Sequence, residues 1–175
     1  VVNPAFFSFL PNSSWIDDRL RLALSMSIDR DLLTSKIFNA DGFAKEGIDV
    51  AWKWNAFVGV GETEFWLDPK SSAFGDNAKY FKFDPQAAKQ LIAAAGHANT
   101  DIRFLYPNTA YGDLFNATAD AIRGMLSDAG FTIQVGTVDY LKDYINNGNA
   151  SCNKGMPANQ PTSVTISSPR STPAS

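Results

Sequence analysis

The sequence predicts an α/β fold, on three observations. Residues 101–138 read as strand, helix and strand, at a spacing that makes a βαβ unit with parallel strands and a right-handed crossover. Further upstream, apolar residues recur at helical spacing between recognisable start and stop signals. The 175 residues are 45% hydrophobic and 13% aromatic, which suits one domain, or one lobe of something larger, with a packed core.

The same composition narrows the function. A formal charge of −3 and a pI near 5.0 leave no basic surplus to neutralise phosphates, so no nucleic-acid partner is expected. No apolar run reaches the roughly 18 to 20 residues that a membrane span needs. One cysteine, Cys152, and one histidine, His97, argue against a disulfide framework, a Cys- or His-based metal centre and a Ser/His/Asp triad. No G-x-S-x-G, Walker A or H-E-x-x-H pattern occurs. What remains is an α/β chain with little catalytic equipment, expected not to be an enzyme and to carry no cofactor and no metal.

In chain order, VVNPAFFSFL at residues 1–10 opens on a strand-like run, Phe6, Phe7, Phe9 and Leu10. It lacks an initiator Met, a basic region and a cleavage site, so the chain is expected to begin inside a longer protein. PNSSW is a turn. Ile16, Leu20, Ala23, Leu24 and Ile28 then fall on one helical face, with Asp17 and Asp18 in the first turn, where the helix dipole favours negative charge. Arg19 and Arg21 lie off that stripe and are expected in water. Asp29 caps a second helix with Leu32, Leu33 and Ile37 on its apolar side, and residues 39–42 (NADG) end it.

Residues 43–83 show no clear period. Gly59, Gly61, Pro69 and Gly75 punctuate a stretch rich in aromatic rings, from Trp52 and Trp54 to Phe81 and Phe83. So many rings predict an ordered excursion and not disorder. Asp84 caps the next helix with Pro85 at its first position. Ala88, Leu91, Ile92 and Ala95 form its buried side and Gly96 stops it.

DIRFLYP alternates as a strand through Ile102, Phe104 and Tyr106. After the PNTAYGD loop a long helix places Leu114, Ala117, Ala121, Ile122, Met125 and Leu126 inward and ends at Gly130. FTIQVGTV alternates again through Phe131, Ile133 and Val135. Asp139 caps a further helix from Tyr140 to Ile145. Residues 149–175 are dominated by Asn, Ser, Thr, Pro and Gly, with Val164 and Ile166 as one aliphatic pair. Such a composition predicts disorder, so the chain divides at 1–148 and 149–175.

Residues 15–33, WIDDRLRLALSMSIDRDLL, resemble the D-x-R-x-R-x-A-L-x-x-A-I-D-R signature of bacterial family 5 extracellular solute-binding proteins, through Asp17 or Asp18, Arg19, Arg21, Ala23, Leu24, Ile28, Asp29 and Arg30. Residues 80–96, YFKFDPQAAKQLIAAAG, are similar to that family's Y-x-x-D-P-x-x-A-K-x-L-L-x-x-A-G helix. The run from MLSDAG into FTIQVGTVD resembles its L-x-x-x-G-I-x-V. The resemblance implies part of a lobe of a type II periplasmic-binding-protein-like fold. It further implies a role as the solute-binding component of an ABC transporter, with an oligopeptide or dipeptide as solute, a permease as partner, and a periplasmic or extracellular, cell-surface location. Peptide-binding members carry an acidic residue near a Trp after the helix that corresponds to 139–148. Here that region reads NASCNKGMPANQPTS, which implies either a different solute or a non-native reading after Gly148.

Open α/β sheets bind ligands beyond the carboxyl ends of their strands. That singles out Asn108, Thr109 and Tyr111, which offer an amide, a hydroxyl and a ring beside a helix N-terminus; Asn108 and Thr109 equally suit a plain turn. Trp52, Trp54 and Asn55 form a W-K-W-N cluster whose indoles share a side if the segment is extended. They fit either a pocket wall or internal packing, whereas Trp15 and Trp66 are read as packing. The alternative to a transport receptor is a stand-alone α/β interaction or sensor domain.

Overall fold

A computed structural model describes residues 5–7, 9, 13–56, 58–98, 101–141 and the strand backbone of 163–166. Strands β1 (Ala5–Phe7), β2 (Asp101–Tyr106), β3 (Thr132–Thr137) and β4 (Ser163–Ile166) form one sheet in the order β1-β4-β2-β3. β2 and β3 pair in parallel from Asp101↔Thr132 to Tyr106↔Thr137, with helix α5 (Asp113–Asp128) between them in sequence, so the βαβ unit is present. β4 runs parallel to β2 and antiparallel to β1.

This fourth strand departs from the expectation of a structureless tail over 149–175. Ser163–Ile166 alternates hydroxyl and β-branched aliphatic residues, the types that suit a pleated strand. It lies between β1, which has no other partner in the sheet, and the edge of β2 that faces away from β3. The rest of that tail, with Cys152, lies outside the described residues, as does most of the helix expected from Tyr140 to Ile145.

Helix α1 (Asp18–Met26) follows a single 3₁₀ turn at Ser14–Ile16. Asp17 is its N-cap, accepting from the Arg19 N–H at 3.0 Å. Leu20, Ala23, Leu24 and Met26 are buried, but Ile16 sits in the preceding turn and faces outward. Asp29 caps α2 (Arg30–Leu32) through the Leu32 N–H at 2.8 Å, and the helix widens into a π-turn over Leu33–Ile37. Residues 39–42 do not simply end it. Asn39 turns left-handed (φ 55°), and a new helix, α3 (Ala40–Lys45), starts from Ala40.

Helix α4 (Pro85–Ala94) matches the expectation closely: Asp84 accepts from Ala87 N–H at 2.9 Å, and Ala88 and Ile92 are buried. It ends in a Schellman motif, with Gly96 (φ 76°) donating to Ala93 O and His97 N–H to Ile92 O. Gly130 (φ 96°) and Phe131 close α5 the same way, on Ser127 O and Leu126 O. The buried stripe of α5 is Phe115, Thr118, Ala119, Ile122 and Leu126. Leu114 and Ala117 are exposed instead, so the helix is rotated by about one residue from the expected face. The hydroxyl of buried Thr118 donates to Leu114 O at 2.8 Å, which lets a polar residue sit inward.

The core lies between the sheet and these helices. Trp15 is fully buried, 4.9 Å ring to ring from Phe7 and 6.3 Å from Phe131. Ile102, Phe104 and Tyr106 fill the central strand's inner face. Leu105, pointing the other way, is buried as well, because its Cδ2 occupies the space where a side chain on Gly136 would stand.

Candidate ligand-binding surfaces

The six candidate residues fall on two surfaces. Asn108, Thr109 and Tyr111 lie between the carboxyl end of β2 and the N-terminus of α5. Asn108 and Thr109 are exposed. The Asn108 carbonyl accepts from Asn116 Nδ2 at 2.9 Å, which ties the loop to the first turn of the helix. Asn116 Oδ1 is buried without a partner among the described residues. Tyr111 is half-buried, edge-on to Phe115 at 4.9 Å and Tyr140 at 5.4 Å. The N-cap of α5 is Gly112, which has no side chain to cap the helix, so the first-turn N–H groups have no side-chain cap.

Trp52, Trp54 and Asn55 lie in the excursion, against α2. Trp54 is half-buried, and its indole Nε1 donates to Asp31 Oδ1 at 2.8 Å. The Lys70 ammonium bonds both Asp31 oxygens at 2.9 Å and sits 4.2 Å from the Trp54 ring centroid. Trp66 donates to the Trp54 carbonyl at 3.1 Å, beneath the Lys53 ammonium. Trp52 keeps 43% of its surface exposed. Asn55 Oδ1 accepts from Val60 N–H at 2.9 Å, closing the turn that follows.

Electrostatics follow from this packing. Burial works to raise the Asp31 carboxyl, but the hydrogen bonds from Lys70 and Trp54 outweigh it and hold the group below its ordinary value. Next to it, burial lowers the Arg30 guanidinium to about 10, still charged at neutral pH.

Between α1, the excursion and a 3₁₀ segment at Ser72–Phe81 lies an open cavity of about 880 Å³. Asp18, Arg21, Leu22 and Ser25 line it from α1, at i, i+3, i+4 and i+7, a second stripe beside the one that faces the core. The opposite walls include Val58, Phe65, Phe74 and Phe81, and Phe65 is 73% exposed. None of the six candidate residues lines this cavity. Arg21 was expected in water; instead it is half-buried, with Nη1 bonded to the Trp15 and Ile16 carbonyls. Arg19 is exposed but donates to Ala94 O at 2.7 Å, tying α1 to α4.

Among the described residues no group of three His, Cys, Asp or Glu side chains converges to hold a metal ion. No described helix is long and apolar enough to cross a membrane. A small, mainly parallel sheet packed against helices, with loops at its strand ends, is part of a lobe of the periplasmic-binding-protein fold type. The sequence profile of the "bacterial extracellular solute-binding proteins, family 5 Middle" matches residues 3–159, and the chain belongs to that family.

The fold agrees. The ABC transporter substrate-binding protein CtaP of Listeria monocytogenes superposes over 94% of this chain with a TM-score of 0.66 at 17% identity. The murein tripeptide-binding protein MppA of Escherichia coli does so over 95%, with a TM-score of 0.56 at 23% identity. For AppA of Bacillus subtilis, solved with a nonapeptide, the coverage is 95%, the TM-score 0.54 and the identity 16%. This chain spans 28% to 31% of the length of these proteins. No match is found among curated protein sequences.

Proposed function

We propose that the chain forms part of the solute-binding component of an ABC importer, periplasmic or cell-surface located, and that its solute is an oligopeptide or dipeptide handed to a membrane permease. The observation that carries this reading is the family match over residues 3–159. The solute class is supported by the chemistry of the two surfaces. Trp52 offers an exposed ring and Trp54 a ring held by its own N–H bond to Asp31. With Asn55 Oδ1 occupied by Val60, the Asn55 amide NH₂ is the group left for a peptide carbonyl. Asn108 and Thr109 present polar groups beside the uncapped turn of α5, where a carboxylate is favoured by the helix dipole, and Tyr111 walls that loop. Binding is non-covalent throughout, and no side chain is assigned a chemical step.

Native mass spectrometry of the 175-residue chain with a mixed library of di- to pentapeptides tests this. Peptide adducts that compete with one another are the expected result. Replacing Trp52 or Trp54 with Ala then weakens the best peptide about tenfold, as expected for an aromatic anchor, while the chain still folds cooperatively. Failure to retain any peptide, with a monodisperse and cooperatively folding chain, overturns the reading in favour of an interaction domain. Unchanged affinity in both variants removes the two indoles from the site.

A further inference from the structure

The two aromatic surfaces built from the excursion, the Trp54 cluster and the 880 Å³ cavity, do not share lining residues, yet one side chain touches both. Arg30 Nη1 donates to Ser25 O at 2.9 Å, Ile28 O at 3.3 Å and Phe81 O at 2.9 Å, and Nη2 donates to Ser25 Oγ at 2.9 Å. Ser25 and Phe81 are walls of the cavity. The guanidinium carbon lies 5.4 Å from the Phe81 ring centroid and 5.9 Å from that of Trp54. We infer that Arg30 is a positioning residue that couples the Trp54 surface to the cavity, so that filling one reorients the other.

Three features support this. Arg30 is half-buried and has no carboxylate partner among the described residues, so its charge is spread over backbone carbonyls that belong to different segments. Ser25 lies in the last turn of α1 and Ile28 just beyond its end; Phe81 is 51 residues further on from Arg30, at the end of the 3₁₀ segment. A planar fork of donors can hold such a set at fixed angles, and a lysine ammonium cannot. The neighbouring Asp31 grips the same indole from its N–H edge. A displacement of Phe81 or Ser25 by an occupant of the cavity therefore reaches Trp54 through one rigid group.

The functional meaning of the coupling rests on the reading of Trp54 as ligand-facing, but the coupling itself is measured without a solute. The chain is labelled with 5-fluorotryptophan, and its four tryptophan resonances are assigned by Trp→Phe substitution. 1-Anilinonaphthalene-8-sulfonate serves as the apolar probe of the cavity, with Phe65→Ala as the control for its site. In the wild-type chain, saturating probe shifts the Trp54 resonance. Arg30→Gln displaces that resonance before any probe is added and reduces the probe-induced shift several-fold, while the Trp15 resonance of the core stays in place. Arg30→Lys, which keeps the cation and with it the fold, loses the probe-induced shift as well. The inference is overturned if Trp54 fails to respond in the wild-type chain, if the probe does not bind at the Phe65 site, or if the response persists in Arg30→Lys. Peptide binding can fail while this coupling holds, and the reverse, so the two readings fall separately.

Discussion

Asp17 shows how much chemistry one residue carries. Its carboxylate caps α1 through the Arg19 N–H and meets the Arg19 guanidinium at 2.6 Å. Chiefly the side-chain bonds from Arg19 lower its pKa from 3.8 to about 2. A carboxyl depressed in the folded state stabilises the fold at any pH above its unfolded value and loses that contribution as pH falls through the folded one. Wild-type urea midpoints should therefore fall between about pH 4 and the folded value of about 2, and Asp17→Asn should flatten that part of the profile. An identical slope in the variant would remove Asp17 as a source of acid sensitivity. The sequence placed Asp17 at the start of this helix, by the preference of the helix dipole for negative charge, but neither its role as the N-cap nor its pairing with Arg19 was read there. The Asp31–Lys70 pair was not legible either, since its partners stand 39 residues apart and an aperiodic segment separates them. The candidates at Trp52, Trp54 and Asn55 were legible as a composition, but which of their polar atoms are already bonded depends on the fold of the excursion.

At the scale of elements, the helix ends were the most legible features, because start and stop chemistry is local. Replacing Asp84 with Ala should cost about 1 kcal/mol, the usual value of an N-cap hydrogen bond, read as a lower urea midpoint at constant slope. Gly130→Ala should cost about 1 to 2 kcal/mol, since φ is 96° and a Cβ there would meet Lys89 Cγ at 3.1 Å. An unchanged midpoint in either variant would mean that the helix end is not held by the bonds assigned to it. Faces were less legible than ends. In α5 a polar Thr118 sits inside and an apolar Leu114 outside, so a count of apolar residues picks the neighbouring stripe. For α1 the second stripe, Asp18, Arg21, Leu22 and Ser25, reads as a solvated face until the excursion is folded over it.

At the scale of the whole molecule, the sheet order β1-β4-β2-β3 pairs the first strand with the last and sets that last strand against β2. Only the β2–β3 pairing has a sequence signature, a compact βαβ unit; the β4 pairings link Phe104 with Val164 and Phe7 with Val164, far apart in the chain. Long-range pairing of this kind leaves no local periodicity, and a four-residue strand among Ser, Thr, Asn and Pro is compositionally close to disorder. The consequence can be measured. If β4 is the strand that joins β1 to β2, deleting residues 149–175 strips β1 of its ladder and exposes the hydrogen-bonding edge of β2. Chain 1–148 should then melt at least about 10 °C below chain 1–175, or lose its cooperative transition, since each kcal/mol lost from a domain of this size lowers the midpoint by about 2 to 4 °C and losing a whole inner strand costs several kcal/mol. Coincident melting curves, followed by circular dichroism at equal concentration, would show that the sheet closes without residues 163–166 and that the tail is dispensable to the fold.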